Sequence, residues 1–214
     1  MDITYIFVLI VIILISMTIH EAMHAFASYW LGDHTAKQEG RLTLNPIAHI
    51  DPFLTLLLPV MLAITGAPIF GGAKPVPFNP IHLKYGDFGP AIVAIAGPLT
   101  NLVLAFLGFV LFVLFVMTGD SEGVVGLFLS LFVTVNLGFF LFNMLPIPPL
   151  DGSRVLYAFA PDSARQIMEM IERYGIIFIF ILVIFFSQYI GMFMKAGINF
   201  FLELFSALFG VRVL

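Results

Sequence analysis

The chain has no cysteine and few charged residues. Of its 214 residues, 10% are charged and 61% are hydrophobic, whereas a soluble domain carries about a quarter charged residues. Without cysteine there is no disulfide, no thiolate zinc site and no cysteine nucleophile, so any metal must be bound by nitrogen and oxygen. The formal charge of −4 is too small to indicate nucleic acid or an acidic partner. With a mean hydropathy of +1.09, the composition predicts a polytopic membrane protein with a single domain over residues 1–214.

Long apolar runs predict the membrane-spanning helices. About 20 apolar residues are needed to cross a bilayer as a helix, and four segments reach that length: Ile3–Leu31, Pro90–Met117, Val124–Leu145 and Tyr174–Met194. Phe53–Thr65 is shorter and contains Pro59, so we expect a re-entrant segment there. A surface helix is expected from Asp162, and Ile198–Phe209 is amphipathic and suits the membrane interface. The fold class expected is all-α, with about four to six transmembrane helices and room for a small β-hairpin or sheet near the site.

Basic residues predict the topology. If Phe53–Thr65 does not cross, every basic residue of the three longer connections lies on one side, which the positive-inside rule makes cytoplasmic. These residues are Lys37, Arg41, Lys74, Lys84, Arg154, Arg165 and Arg173. The N-terminus and the Gly119–Gly123 turn have none and are expected outside. A full fifth crossing at Phe53–Thr65 is the alternative, and it would divide the basic residues between the two faces.

Three ionisable residues interrupt the first apolar run, in the sequence HEAMH (His20–His24). Positions i and i+4 share one helix face, so the imidazoles of His20 and His24 can reach one metal ion. Glu21 lies beside them and can activate a water held at the metal. An ionisable group at membrane depth costs about 2.5–3.5 kcal/mol on insertion scales, and such residues are read as functional by default. A proton relay in a transporter is the alternative interpretation.

Asp151 is the best candidate for a third ligand. A hydrolytic zinc site needs three protein ligands and one open position. In NMLPIPPLDG (Asn143–Gly152) the prolines end the preceding helix, and Asp151 is expected in a loop at its cytoplasmic end. If Phe53–Thr65 is re-entrant, that loop lies at the depth of His20 and His24. An ordinary Asp-Gly turn is the plainer alternative.

The remaining polar residues have simpler interpretations. His34, His49 and His82 are expected as surface or interface histidines, Asp51 as a helix cap before Pro52, and Asp87 as a solvated charge. Asn101 lies in a stripe of small residues, Ala94, Gly97, Ala105 and Gly108, that lets helices approach closely. Asn136 and Asn143 share a face of the third long helix. Each asparagine either bonds between helices or, for Asn101 and Asn143, holds the substrate backbone near the metal.

Taken together, three motifs resemble those of the site-2 protease family of intramembrane zinc metalloproteases, peptidase family M50. They are HEAMH, AGPLTN (Ala96–Asn101) and NMLPIPPLDG. LNPIAHIDP (Leu44–Pro52) and GGAKPV (Gly71–Val76) are similar to segments of its short bacterial and archaeal branch. The resemblance covers Ile19–Gly152 in order, which divides the domain into a core, 1–152, and C-terminal helices, 153–214.

The resemblance implies one Zn²⁺ per chain, held by His20, His24 and Asp151, with Glu21 as the catalytic base of a zinc metalloendopeptidase (EC 3.4.24). Asn101 and Asn143 would face the site. Substrates would be transmembrane segments of other proteins, cut within or near the bilayer of a prokaryotic inner membrane, with the site open to the cytoplasm. A homo-oligomer is compatible with the sequence, and nucleic acid is not expected as a partner. The rival hypotheses are a transporter or metal permease that uses the same residues, and a catalytically inactive membrane scaffold.

A helical substrate must unwind before its peptide bonds can be attacked, because a helix hides them. We therefore expect substrates with Gly, Pro or Asn near the cut. We also expect a strand within Lys37–Leu44 or Phe70–Phe78 that could pair with the extended substrate.

Overall fold

Four long helices dominate the part of the chain that the structure describes. The computed structural model describes residues 3–57, 72–117 and 123–211. The long helices are α1 (Ile3–Trp30), α3 (Phe88–Met117), α4 (Val124–Asn143) and α7 (Gly175–Phe209). Each is long and apolar enough to cross a membrane. The first three match predicted segments closely and the fourth contains most of Tyr174–Met194, which confirms the four predicted spanning helices.

Shorter helical elements connect them. They are α2 (Thr35–Gln38), a 3₁₀ turn (Pro46–His49), a π-helical turn (Pro52–Leu57), a second 3₁₀ turn (Pro80–His82), α5 (Asp151–Phe159) and α6 (Asp162–Arg173). The predicted surface helix that begins at Asp162 is therefore confirmed. Asp51 also has its predicted role, because its carboxylate accepts a hydrogen bond from the Phe53 amide at 2.9 Å.

Helices α1, α3 and α4 pack against one another in all three pairs, and α5 packs against α3. Small residues allow this close packing, as the stripe on α3 predicted. Ala94 and Ala105 are buried. A methyl group at Gly108 would come within 2.8 Å of the Phe132 ring on α4.

The outer faces of the long helices are apolar. Phe7 on α1, Leu114 on α3 and Phe185 on α7 are 66%, 57% and 74% exposed. In water such a surface would be a large exposed apolar patch, whereas lipid hydrocarbon solvates apolar side chains without a free-energy penalty. The surface of the bundle therefore fits a lipid environment.

The C-terminal helix differs from the prediction. We expected a span ending at Met194 and a separate interfacial helix over Ile198–Phe209, but α7 runs without a break through both, over 35 residues. The apolar face that suggested an interfacial helix packs instead on protein, because Phe205 lies in a buried cluster with Phe109 of α3 and Leu137 of α4. Gly197 continues the helix and lies against Leu141, where a methyl group would come within 2.8 Å of its side chain.

Asp151 also differs from the prediction. We expected it in a loop, but it is the first residue of α5. The prolines do end α4 at Asn143, as predicted. Leu150 is extended and its carbonyl accepts hydrogen bonds from both the amide and the hydroxyl of Ser153. The chain therefore starts a new helix immediately after the proline-rich segment.

Two predicted features lie partly outside the described residues. Phe53–Thr65 is described only to Leu57, and residues 118–122 of the Gly119–Gly123 turn are also outside. Among the described residues there is no strand. Lys37–Leu44 begins in α2 and continues as turns, and the described part of Phe70–Phe78 has no regular structure, so the expected β-hairpin is not found there.

Candidate metal centre

The two imidazoles of HEAMH meet on the buried face of α1. His20 and His24 are 6% and 8% exposed, and their Nε2 atoms lie 3.0 Å apart. One helical turn separates them, so both rings project in the same direction from one helix. The predicted pair of ligands is thus brought together by local geometry alone.

Asp151 completes a triangle with the two rings. Its Oδ2 lies 3.2 Å from Nε2 of His20 and 3.4 Å from Nε2 of His24. Tetrahedral zinc with bonds of about 2.0–2.1 Å places neighbouring ligand atoms about 3.3 Å apart. The three atoms therefore form one face of a coordination tetrahedron and leave the fourth corner for water or substrate. Among the described residues, this is the single group of three such side chains close enough to hold a metal ion.

The other ring nitrogens determine which atoms are free for a metal. His24 Nδ1 lies 2.8 Å from the carbonyl oxygen of Val93, which can only accept, so Nδ1 carries the proton. His20 Nδ1 lies 2.5 Å from Oδ1 of Asn101. Both neutral rings then turn a bare Nε2 lone pair toward the other and toward a carboxylate. A cation at the centre would make that arrangement favourable, and protonation at Nδ1 with a free Nε2 is the tautomer of a histidine that binds metal through Nε2.

Gly97 leaves the space beside these nitrogens open. A methyl group built on it would lie 2.4 Å from Nε2 of His24 and 2.7 Å from Nε2 of His20. Those distances are shorter than any real carbon contact, so a side chain at this position would occupy the region next to both ligand atoms. The donor set and the space beside the two nitrogens fit a zinc ion.

Gly152 positions the third ligand. A methyl group there would lie 2.3 Å from the carbonyl oxygen of Met144, so the chain can return to the end of α4 only with glycine after Asp151. The carboxylate oxygen of Asp151 is thereby held within 3.4 Å of the Nε2 atoms of both imidazoles.

Comparisons with known proteins agree with this centre. The chain is 42% identical to "Putative zinc metalloprotease YwhC" of Bacillus subtilis over 94% of its own length and 92% of that protein. It is 32% identical to "Putative zinc metalloprotease Rip2" of Mycolicibacterium smegmatis over 85% of its length and 69% of that protein. The model of Peptidase family M50 matches residues 120–187, which include Asp151. The chain belongs to peptidase family M50. No solved structure matches it.

Membership and geometry lead to the same general conclusion. An M50 peptidase with two imidazoles, a carboxylate and one open position is a zinc metalloprotease. Its four apolar helices make it an integral membrane protein, and His20 and His24 lie within the first of them.

Glu21 directly follows His20 in the sequence and lies beside the metal centre. It is half-buried, and no other described residue donates a hydrogen bond to its carboxylate. Its charge acts on Arg41, whose pKa is lowered by burial although Glu21 and Glu39 oppose that effect.

The two asparagines predicted to face the site have different surroundings. Asn101 is fully buried; its oxygen faces His20, and its amide nitrogen donates to Oδ1 of Asn136 at 2.8 Å. Both ends of the Asn101 side chain are thus used within the protein, which favours the interhelical interpretation over substrate binding. Asn143, at the end of α4, donates to its own helix at Phe139, and the structure shows no contact from it to the ligands.

The other predicted side chains lie apart from the M50 centre. His34 and His82 are exposed, as expected. His49, predicted as a surface or interface histidine, is fully buried between neighbouring segments: its Nε2 donates to the Thr43 carbonyl, and Arg41 faces its Nδ1. Asp87 is exposed but pairs with Arg165 at 2.7 Å.

Sequence reasoning did not identify three contributors to the centre: Val93, Gly97 and Asn136. Gly97 and Asn136 were noted only as packing residues. The signal that could have revealed them is spacing, because Val93, Gly97 and Asn101 recur every four residues on the face of α3 that meets α1.

Proposed function

We propose that this protein is an intramembrane zinc metalloprotease of the site-2 protease type, which hydrolyses peptide bonds in transmembrane segments of other membrane proteins. The observation that carries the proposal is the triangle of His20, His24 and Asp151 ligand atoms, with sides of 3.0–3.4 Å. This triangle lies against a helix that is apolar enough to span a bilayer. A soluble peptidase has no need to bury such a centre among lipid-facing helices.

His20, His24 and Asp151 would hold the zinc ion. Bound there, zinc would polarise the scissile carbonyl and make a water molecule more acidic. Glu21 acts as general base: its carboxylate takes a proton from the attacking water and later delivers it to the leaving amine. The half-buried position of Glu21 and the absence of a donor to it among the described residues support this role.

The substrate must be locally unwound to reach the site. In lipid, an unwound backbone needs hydrogen-bonding partners from the enzyme, so segments weakened by Gly, Pro or Asn are the preferred targets. The enzyme operates in a prokaryotic inner membrane, with the centre open to the cytoplasm. The basic residues of the connections and their position at the same ends of the helices support that orientation.

The test uses purified protein in detergent, its bound zinc, and cleavage of a transmembrane peptide that contains Gly and Pro. Wild type should bind one zinc ion and cleave, and chelation should abolish cleavage. Glu21→Gln should keep the zinc and lose cleavage by about 100-fold or more, within the range for a general base. His24→Ala and Asp151→Ala should lose both zinc and cleavage.

His34→Ala and Asp162→Ala are the matched controls, because both side chains are exposed and lie away from the centre. They should bind zinc and cleave like wild type. Normal turnover by Glu21→Gln would remove its role as base, and undiminished zinc in Asp151→Ala would reassign the third ligand. Zinc binding without cleavage of any transmembrane peptide would favour the metal permease.

A further inference from the structure

Three polar side chains are completely buried at the junction of the central helices. They are Ser16 of α1, Asn101 of α3 and Asn136 of α4, and each is 0% exposed. Burying a polar group without a partner costs about 1–3 kcal/mol on mutational evidence, so each must be hydrogen-bonded. The pattern of those bonds leads to the metal centre.

The bonds form a chain with a fixed direction. The amide nitrogen of Asn136 donates to two oxygens, the Phe132 carbonyl at 2.8 Å and the Ser16 hydroxyl at 2.9 Å. A backbone carbonyl only accepts, so the amide nitrogen of Asn136 must point that way. Its Oδ1 then faces Asn101 and accepts from the amide nitrogen of that residue at 2.8 Å.

The orientation of the Asn101 amide in turn determines which nitrogen of His20 carries the proton. With its nitrogen directed at Asn136, Asn101 presents Oδ1 to Nδ1 of His20 at 2.5 Å. An amide oxygen accepts and does not donate, so His20 must carry its proton on Nδ1. The lone pair of Nε2 is then free to point at the other ligand atoms. If Asn101 were turned by 180°, its nitrogen would face the ring and favour a proton on Nε2, which would have to be displaced before His20 could bind a metal through that atom.

We propose that Asn136, supported by Ser16, is a positioning residue that sets the tautomer and orientation of the His20 ring through Asn101. This inference rests on the proposed function, since it assigns a role toward the zinc ion. It differs from simple interhelical packing, which predicts lost stability but no specific change in metal affinity. Partners of metal-bound histidine typically contribute 10–100-fold to affinity.

The experiment is a double-mutant cycle on zinc affinity, measured by competition with a chelator in detergent. Asn101→Ala should weaken zinc binding by about 10–100-fold. Asn136→Ala should weaken it by roughly tenfold, since only the longer 3.5 Å contact to the Ser16 carbonyl then holds the orientation of Asn101. The double variant should bind no more weakly than Asn101→Ala alone, because Asn136 acts only through Asn101. Ser130→Ala is the control: its hydroxyl bonds only its own helix, at Leu127 of α4, and its zinc affinity should equal that of wild type.

Folded Asn136→Ala protein with wild-type zinc affinity would overturn the inference, as would a double variant whose losses simply add. If Asn136→Ala does not fold, Asn136→Ser decides by the same two criteria, since it keeps a polar side chain at the junction but removes the amide that orients Asn101. Failure of this inference is distinguishable from failure of the proposed function. If only this inference fails, wild type binds zinc and cleaves, but the double-mutant cycle shows no coupling between Asn136 and Asn101 in zinc affinity. If the proposed function fails, wild type itself binds no zinc or cleaves nothing.

Discussion

At the scale of residues, each proposed ligand of the centre depends on a neighbour that is not a ligand. His24 depends on the Val93 carbonyl, His20 on Asn101, and Asp151 on the glycine that follows it. Each partner removes one alternative: a wrong tautomer in the first two cases, a wrong chain path in the third. The centre is therefore preorganised before any metal binds.

Gly97→Ala should lose zinc and peptidase activity while the protein remains folded. Its methyl group would lie 2.4–2.7 Å from the two ligand nitrogens, and α1 or α3 would have to move to relieve the clash. We expect a loss of zinc affinity of at least about tenfold, comparable to loss of a ligand's partner. Bound zinc and thermal unfolding of the purified variant measure the effect.

Gly191→Ala is the matched control on α7, because nothing lies within 4 Å of its added methyl group. It should bind zinc normally and gain up to about 1 kcal/mol in stability from better helix propensity. Equal zinc affinity for the two variants would show that the space beside the nitrogens is not needed.

At the scale of elements, α3 is the helix that organises the centre. Val93, Gly97 and Asn101 lie at successive turns of one face. Val93 and Asn101 supply acceptors for the two histidines, and Gly97 leaves space beside their Nε2 atoms. Pro98 lies within the helix and deprives the Ala94 carbonyl of its usual donor, yet α3 continues to Met117. The motif AGPLTN thus combines close packing with hydrogen bonding toward α1.

A second element-scale feature fixes the connection after α1. Asp33 is fully buried and accepts from the amide and hydroxyl of Thr35 and from the Asn79 amide. Burial raises its pKa, but these hydrogen bonds outweigh burial, so the pKa is lowered overall. The ionised carboxylate therefore links the start of α2 to the segment before α3.

Asp33→Asn should destabilise the protein by about 1–3 kcal/mol at pH 7, since charged acceptors make the stronger hydrogen bonds. A lowered folded-state pKa means that the carboxylate contributes stability above its unfolded value of about 3.9 and loses it as pH falls through the folded value. The difference between wild type and variant should therefore shrink in acid. Thermal unfolding in detergent at neutral and acidic pH measures it.

Asp87→Asn is the comparison, because its pair with Arg165 is exposed and should contribute at most about 1 kcal/mol. A destabilisation of Asp33→Asn no larger than that of Asp87→Asn at pH 7 would contradict the structural role of Asp33.

The elements also show where sequence patterns were ambiguous. The amphipathic face of Ile198–Phe209 was assigned to the membrane interface, because an apolar stripe looks the same whether it meets lipid or protein. The structure packs that face on α3 and α4. Likewise, Asp151-Gly152 after prolines fits a turn as well as a helix start, and only the hydrogen bonds of Ser153 to Leu150 distinguish them.

At the scale of the whole molecule, three helices from separate parts of the chain enclose the centre, and α5 supplies the third ligand to it. The ligands can meet only if the C-terminal end of α4 and the C-terminal half of α1 lie at the same depth in the membrane. The structure places Asp151 within 3.4 Å of both imidazoles, which agrees with the depth that the arrangement of basic residues predicts.

The orientation can be measured directly because the chain contains no cysteine. Single cysteines at Gln38 and Ser163 should be labelled from the cytoplasm, and those at Ile3 and Val124 from outside; all four positions are exposed. Labelling whole cells with a membrane-impermeant maleimide, before and after permeabilisation, gives the side of each. Labelling of Gln38 and Ser163 from opposite sides would exclude the topology in which Phe53–Thr65 is re-entrant.

The sequence by itself determined what depends on local spacing. Apolar runs longer than a bilayer specify the spanning helices, and an i, i+4 pair specifies that His20 and His24 share a face, because both follow from the geometry of one helix. Only the tertiary structure decided what depends on the approach of distant segments. It placed the Val93 carbonyl beside His24, left space at Gly97 beside the two imidazoles, and connected Asn136 through Asn101 to His20 by hydrogen bonds. It also decided that α7 continues past Met194 and packs on α3 and α4. Those contacts join helices whose relative rotation and depth are set by packing, and the spacing of residues on one helix does not specify which residues of another helix they meet.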